Sequence, residues 1–336
     1  MLARKARYWI GGLASIVFLG LFVLRTDVDK AIDALLEADY IYLAPAIAVF
    51  FVSVWFRSWR WATILRPFLV IRVHHLYPYV VIGSMVNNVL PARAGELVRT
   101  YVLGQRYGVK KMTVLGTVAI DRLFDGIALL GIYVVVAFAS DTNNLLTWIA
   151  VVGALAFGVV TALFLTLVYR PDLAQRPIDA VVRRAPLRIR DKLATSVDLF
   201  IKGLQPLRSP IIIGSVLTLS LIAWFCETSM YYILGFAFDL DQPFHVYLLV
   251  AAAANLVIAL PPSQGGIGPF ELVAREVLVL AGVGASTASA YALALHAALL
   301  LPVIVAGLVF LWLVNLNIGR VLRADAEQGL LSETPG

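Results

Sequence analysis

Cysteine is almost absent from this sequence: Cys226 stands alone, so no disulfide framework can form within the chain. Histidine is nearly as scarce, with four residues, and no Cys/His cluster has metal-site spacing. There is no P-loop, no G-x-G-x-x-G behind a strand and no H-E-x-x-H. These absences set aside an ATP-driven pump and leave no metal ligands and no cofactor site to nominate. The largest shortfall is charge. Only 14% of residues are charged, where a soluble domain carries about 25%.

Apolar residues fill the gap, at 61% of the chain with a mean hydropathy of +0.87. They lie in long blocks, which implies bilayer rather than an oversized core. The net charge of +6 fits nucleic acid or a membrane surface. Because the cations sit in short loops between apolar blocks, the membrane reading holds and no nucleic-acid partner is expected. Full spans are expected at 8–24, 40–56, 113–139, 145–169, 211–238 and 290–316, each near or above the roughly 17–25 residues a crossing needs. The first follows Arg4, Lys5 and Arg7 without an A-x-A-like cleavage site, and reads as a retained helix rather than a signal peptide.

Two further apolar regions, 79–103 and 246–281, are broken by Pro91 and by Pro261-Pro262. Each half is short for a crossing, so each pair suits a helical hairpin that returns to the side it came from. Loop charges test this. The stretch 25–39 is acidic and reads outside, while 57–77 (Arg57, Arg60, Arg66, Arg72) and 104–112 (Arg106, Lys110, Lys111) read inside. Two inside stretches flanking 79–103 place that hairpin's open end in the cytoplasm. The loop 170–208 holds nine Lys and Arg against four Asp and also reads inside. Asp239 and Asp241 read outside, and Arg320 and Arg323 inside, so 246–281 starts and ends outside. The expected fold is an all-α polytopic membrane protein with about six full transmembrane helices plus two oppositely inserted re-entrant hairpins. Both termini are expected on the cytoplasmic side of the cell (inner) membrane.

The two breaks share a pattern. One runs from Asn87 through Leu90-Pro91 to Gly95-Glu96, the other from Asn255 through Leu260-Pro261 to Gly265, Gly266 and Glu271. Corresponding broken segments that approach from opposite faces suggest an inverted repeat; the alternative is a chance likeness between two Pro/Gly breaks. Polar groups at membrane depth are costly, and irregular backbone there must be buried in protein or line a wet cavity. The candidate site therefore gathers Asn87, Arg93, Glu96 and Arg99 at the first break with Gln264, Gly265, Gly266 and Glu271 at the second. Glu96 and Arg99 lie one turn apart and can pair. Arg93, Arg99 and a helix N-terminus could hold an anionic head group; alternatively Arg93 and Glu96 neutralise each other. Glu271 and Arg275 are also spaced to pair.

Asp121, Arg122 and Asp125 lie about a third of the way into the span 113–139. They either line the cavity or tie this helix to Arg93 or Arg99. Glu227 either titrates, as a candidate for proton coupling, or pairs with another side chain, and His296 reads as a satisfied packing histidine. Trp55, Trp59 and Trp61, with Arg57 and Arg60, read as an interfacial belt. The stretch 189–204 has roughly helical amphipathic spacing, suited to an interfacial helix on anionic lipid head groups or else part of an ordinary solvated inside loop, and 29–39 reads as a short helix outside.

The segments Asn87–Leu103 (NNVLPARAGELVRTYVL) and Pro261–Glu271 (PPSQGGIGPFE) resemble the two signatures of the flippase-like family. This is the family of the lysylphosphatidylglycerol synthase transmembrane region, the flippase domain of the multiple peptide resistance factor. The resemblance covers nearly the whole chain. It implies two oppositely inserted hairpins and movement of a lipid between leaflets. It maps the motif residues onto Arg93, Glu96, Arg99, Gly265, Gly266 and Glu271. A single transmembrane domain over 1–323 is expected, followed by a short polar tail, 324–336. With only that tail after Asn317, aminoacyl transfer is not expected and the chain is not read as an enzyme. The function expected is translocation of a lipid or glycolipid with an anionic head group. The rivals are a small-solute secondary transporter, an intramembrane transferase, and a noncatalytic partner of a separate lipid-modifying enzyme.

Overall fold

The computed structural model describes residues 17–90, 94–139, 144–170, 178–179, 182–184, 186–258 and 264–314. Within them the regular structure is helical. A helical stretch, 17–24, leads to α1 (Val28–Glu37), then α2 (Leu43–Leu65), α3 (Val73–Val89), α4 (Ala94–Tyr107), α5 (Lys111–Ala139) and α6 (Asn144–Tyr169). The second half contains α7 (Leu187–Gly203), α8 (Pro210–Phe236), α9 (Phe244–Ile258), α10 (Pro269–Leu280) and α11 (Ala285–Leu313). Among the described residues three helices are long and apolar enough to cross a membrane: Tyr40–Leu65, Pro210–Phe236 and Ala285–Leu313. The 29-residue α5 and 26-residue α6 are of similar length, but α5 carries charge midway. Arg93 and the tail 324–336 lie outside the described residues.

Helices α2 and α8 form the central pair. The backbone N–H of Asp39, just before α2, donates to the Ala237 carbonyl just after α8 at 2.9 Å, while Arg60 reaches Ser220. The pair is therefore antiparallel, with residues 39 and 237 at one end and 65 and 210 at the other. Each central helix leads into a pair of shorter helices.

Helices α3 and α4 fold back on each other, and two glycines bring them close. A Cβ on Gly95 would overlap the Gly83 carbonyl oxygen, so no larger residue fits at that crossing. The open end of this pair lies at the 65/210 end, where Thr113 Oγ1 donates to the Leu199 carbonyl and Gly116 packs on Gly203. Helices α9 and α10 form the second pair, opening at the 39/237 end. There the Arg275 guanidinium donates to the Arg25 carbonyl and Thr26 contacts Ser289. The packing is reciprocal: α3 lies on α11, which follows the second pair, and α9 lies on α5, which follows the first.

Several expectations meet the structure here. The pairs run over 73–107 and 244–280, longer than 79–103 and close to 246–281. Helix α1 matches the short helix expected over 29–39, and α7 that over 189–204; α7 packs on α5. The belt reading fails in part. Trp55 and Trp59 are exposed, but Arg60 and Trp61 are fully buried. Helix α2 continues to Leu65, so Arg57 and Arg60 are bundle residues and only Arg66 and Arg72 remain as loop cations. The apolar run resumes after Arg60, and that resumption is what carries the helix on.

Candidate functional site

Helix α3 ends at Val89 within hydrogen-bond reach of the start of α4. Asn87 Oδ1 accepts from the Gly95 N–H at 2.8 Å, and Asn87 Nδ2 donates to Glu96 Oε1 at 3.2 Å. This one side chain satisfies an orphan donor of the new helix and fixes its first-turn acid. Arg99 lies one turn further on. Its stem crosses Gly83, where a Cβ would come within 2.5 Å of Cγ and Cδ. Its guanidinium stacks over the Trp61 ring at 4.0 Å and reaches Asp121 at 3.4 Å. Glu96 instead faces Arg122 at 3.9 Å, so the two acid–base neighbours of α4 contact different partners.

Beneath the break lies a buried ion network. Arg60 donates to Asp121 and Asp125, both at 2.7 Å, and to Ser220 at 2.9 Å. Arg57 bridges Asp125 at 3.0 Å and Glu227 at 2.7 Å, and sits over Trp224. Arg122 contacts Asp121 at 3.1 Å and Asp125 at 3.2 Å. Four arginines (57, 60, 99, 122) thus meet four carboxylates (96, 121, 125, 227). A neutral total is what lets so many charges sit away from water. The exposure is uneven. The Arg122 side chain is 38% exposed, against 14% for Glu96 and 9% for Asp125. The most exposed side chain of the network is therefore that of Arg122.

The second break is built differently. Gln264–Gly266 form one 3₁₀ turn, with Gly265, Gly266 and Gly268 at positive φ (62°, 79° and 94°). Backbone at positive φ favours glycine over residues that carry a Cβ. Glu271, in the first turn of α10, accepts from the Gly268 N–H at 2.7 Å and lies 2.6 Å from His296 Nδ1 on α11. His296 Nε2 lies 2.9 Å from the Gly265 carbonyl oxygen. Glu271 therefore pairs with His296, while Arg275 turns to Ser289, Glu276 and the Arg25 carbonyl. The Gln264 side chain lies outside the described residues.

The two breaks meet. The face of Gly265 lies against the Asn88 carbonyl oxygen, 3.1 Å from where a Cβ would stand. Between them is a cavity of about 630 Å³. Arg57, Arg122, Glu96, Asp125 and Glu227 form its polar side, with Asn87, Gly265 and His296 near the breaks. Phe157, Val160 and Phe164 of α6 and Leu299, Leu300 and Val303 of α11 form an apolar side. Phe157 fits against Gly126, where a Cβ would overlap its ring. Glu96 Oε2 and Arg122 Nε are buried and make no hydrogen bond to the described residues.

The structure thus gathers Asn87, Glu96, Asp121, Arg122, Asp125, Glu227, Gly265 and Gly266 around one cavity. Arg99 stands behind it, against Asp121, and Glu271 is joined to it through His296. Glu227 is no lone acid, since it pairs with Arg57. Sequence reasoning missed the place of Arg57 and Arg60 in the network, although the apolar residues that continue beyond them carried a signal. His296, expected as a satisfied packing histidine, is buried with a partner at each ring nitrogen; those partners are distant in the chain, so the sequence did not identify them.

Comparison with known proteins bears on this arrangement. The profile of the family described as "Lysylphosphatidylglycerol synthase TM region" matches residues 8–307. A "UPF0104 membrane protein" of Methanothermobacter thermautotrophicus is 26% identical, over 82% of this chain and 86% of that protein. A second "UPF0104 membrane protein" from the same organism is 24% identical over 85% of this chain. "Glycosyltransferase AglD" of Haloferax volcanii is also 26% identical, over 97% of this chain but only 57% of its own length.

Proposed function

The chain belongs to the lysylphosphatidylglycerol synthase transmembrane-region family, and from that premise we propose that it moves a lipid or glycolipid with an anionic head group across the membrane. Membership makes it a multi-pass membrane protein and ties it to lipid-related membrane function. In our reading α3–α4 and α9–α10 are re-entrant hairpins that dip in from opposite faces. Helices α2 to α5 and α8 to α11 are then inverted repeats. The reciprocal packing of α3 on α11 and α9 on α5 supports this, because a two-fold relation produces such exchange. So does the pairing of each hairpin's first-turn glutamate with the helix that follows: Glu96 with Arg122, Glu271 with His296.

One observation carries the proposal: a single cavity has a charged side and an apolar side. A small polar solute has no use for the α6 and α11 wall, whereas an amphiphile uses both. The phosphate would bind the open edge of Arg122, whose planar fork suits it. A head-group hydroxyl would donate to Glu96 Oε2 beside it. The chains would lie along Phe157, Val160 and Phe164. No bond-making step is assigned to the site. In this reading the N-terminus and the basic helix α7 lie on the cytoplasmic side of the cell membrane, where α7 would meet anionic head groups.

The test is reconstitution in vesicles with fluorescent phosphatidylglycerol and a membrane-impermeant quencher. Wild type should expose inner-leaflet lipid far faster than protein-free vesicles. Arg122→Ala should slow this at least about tenfold, the equivalent of ~1.4 kcal/mol. A wild-type rate no faster than in empty vesicles, or an unchanged Arg122→Ala rate, would refute the proposal. A second reading draws on the glycosyltransferase relative, in which a chain-length match occupies just over half of a larger protein. There this chain would present a lipid to a separate lipid-modifying enzyme. Lipid retained on the purified protein without any crossing would favour that reading.

A further inference from the structure

The second break contains a chain of hydrogen bonds that head-group binding leaves unused. His296 faces an acceptor on each ring nitrogen, the Glu271 carboxyl at 2.6 Å and the Gly265 carbonyl at 2.9 Å. A neutral imidazole has a single N–H. Both bonds can exist together only if the pair holds one further proton. That proton sits either on the ring, as imidazolium against carboxylate, or on Glu271, as an acid donating to Nδ1. Without it, one contact sets lone pair against lone pair and a buried bond is lost. The other Glu271 oxygen is engaged by the Gly268 N–H. Both side chains are about 94% buried, at 6% exposure each, yet His296 lines the cavity, which gives a proton a way in.

The surroundings leave this proton to the pair. On α10, Arg275 is turned to Ser289, Glu276 and the Arg25 carbonyl. On α8, Tyr231 packs on Phe270 and accepts from Asn255 on α9, and Glu227 is held by Arg57. On α3, the cavity-facing polar groups are Ser84, Asn87 and Asn88. Across the cavity, Glu96, Asp121, Arg122 and Asp125 belong to the other network. Among the described residues no lysine or arginine pairs with Glu271.

We propose that Glu271 and His296 form a proton-binding site that couples protonation to movement of the second hairpin's turn. One bound proton staples the turn 264–268 to α11 and so holds Gly265 against Asn88 of the first break. Release of the proton frees the turn. The part played in transport rests on the translocation reading; the staple rests on the hydrogen-bond geometry alone.

Two measurements test it. The first is lipid flip rate in vesicles at equal inside and outside pH, from about pH 5.5 to about pH 8.5, where histidine can change charge. The wild-type rate should rise with pH, by up to about tenfold per unit while the protonated pair dominates, the limiting slope for one bound proton, and then level off. Glu271→Gln supplies an amide N–H to Nδ1 and an oxygen to Gly268, so it mimics the loaded pair; its rate should be slow and flat. Matching pH profiles in the two proteins would overturn the proposal. The second measurement is ¹⁵N-histidine NMR in lipid nanodiscs, with His296→Gln to assign the signal. A one-proton event at His296 that vanishes in Glu271→Gln supports the site even if wild type moves no lipid, an outcome that sinks only the transport reading. A His296 ring whose proton count and tautomer both stay the same across the pH range and in Glu271→Gln overturns the site.

Discussion

Arg60 offers the sharpest test of the ion network. It is fully buried and donates to Asp121, Asp125 and Ser220. Arg60→Met keeps the stem volume and removes the charge. Two magnitudes compete. If the three contacts are ordinary interhelical hydrogen bonds, at about 0.6 kcal/mol each, the loss is roughly 2 kcal/mol. If the network matters as a neutral set, removing one of its four arginines strands a buried carboxylate, at about 3–5 kcal/mol. The remaining partners of Asp121 and Asp125 do not restore the balance, because Arg57, Arg99 and Arg122 are already matched. The second account is the one expected to hold. Equilibrium unfolding in mixed detergent micelles, followed by tryptophan fluorescence, reads the change. Adding Asp121→Asn restores three cations to three anions and should return at least about half of the lost stability, a coupling far above the additive limit. A double variant as unstable as the sum of its parts would refute the charge-balance reasoning.

Further expectations follow from packing and orientation. Gly95→Ala places a methyl on the Gly83 carbonyl and should cost about 1–3 kcal/mol or more. Gly131→Ala meets open space and should be neutral or stabilising by up to about 1 kcal/mol in the same unfolding assay. In a Cys226→Ala background, Arg66→Cys and Lys110→Cys should react with an impermeant maleimide only from the cytoplasm, and Asp39→Cys and Gly282→Cys only from outside. Any crossing of that assignment would show that one hairpin is an ordinary span. Phe157→Ala should enlarge the cavity on its apolar side and speed passage of bulkier lipid chains relative to slimmer ones, read in the fluorescent-lipid assay; equal effects on both would remove α6 from the pathway.

The helical plan was legible because long hydrophobic runs report directly on a bilayer. The boundaries of α5 and α6 lie close to the expected spans at 113–139 and 145–169. The two breaks were legible from Pro and Gly. The content of the network was less so. Asp121, Arg122 and Asp125 stood out as charges in an apolar run, whereas Arg57 and Arg60 sat among tryptophans and imitated an interface. Pairing in the sequence also misled: Glu96 with Arg99 and Glu271 with Arg275 are correctly spaced, yet each of the four turns to another element. Local spacing sets which pairs are possible. Burial decides which form, because a charge inside the bundle takes the partner that removes it furthest from hydrocarbon.

The antiparallel central pair has a mechanical consequence. Arg57 on α2 grips Glu227 on α8, and Arg60 on α2 grips Ser220. A slip of one helix along the other by a turn, about 5.4 Å, would unlock both grips together and strand their charges. The pair is thus keyed against sliding at two successive levels, by Arg57 with Glu227 and by Arg60 with Ser220.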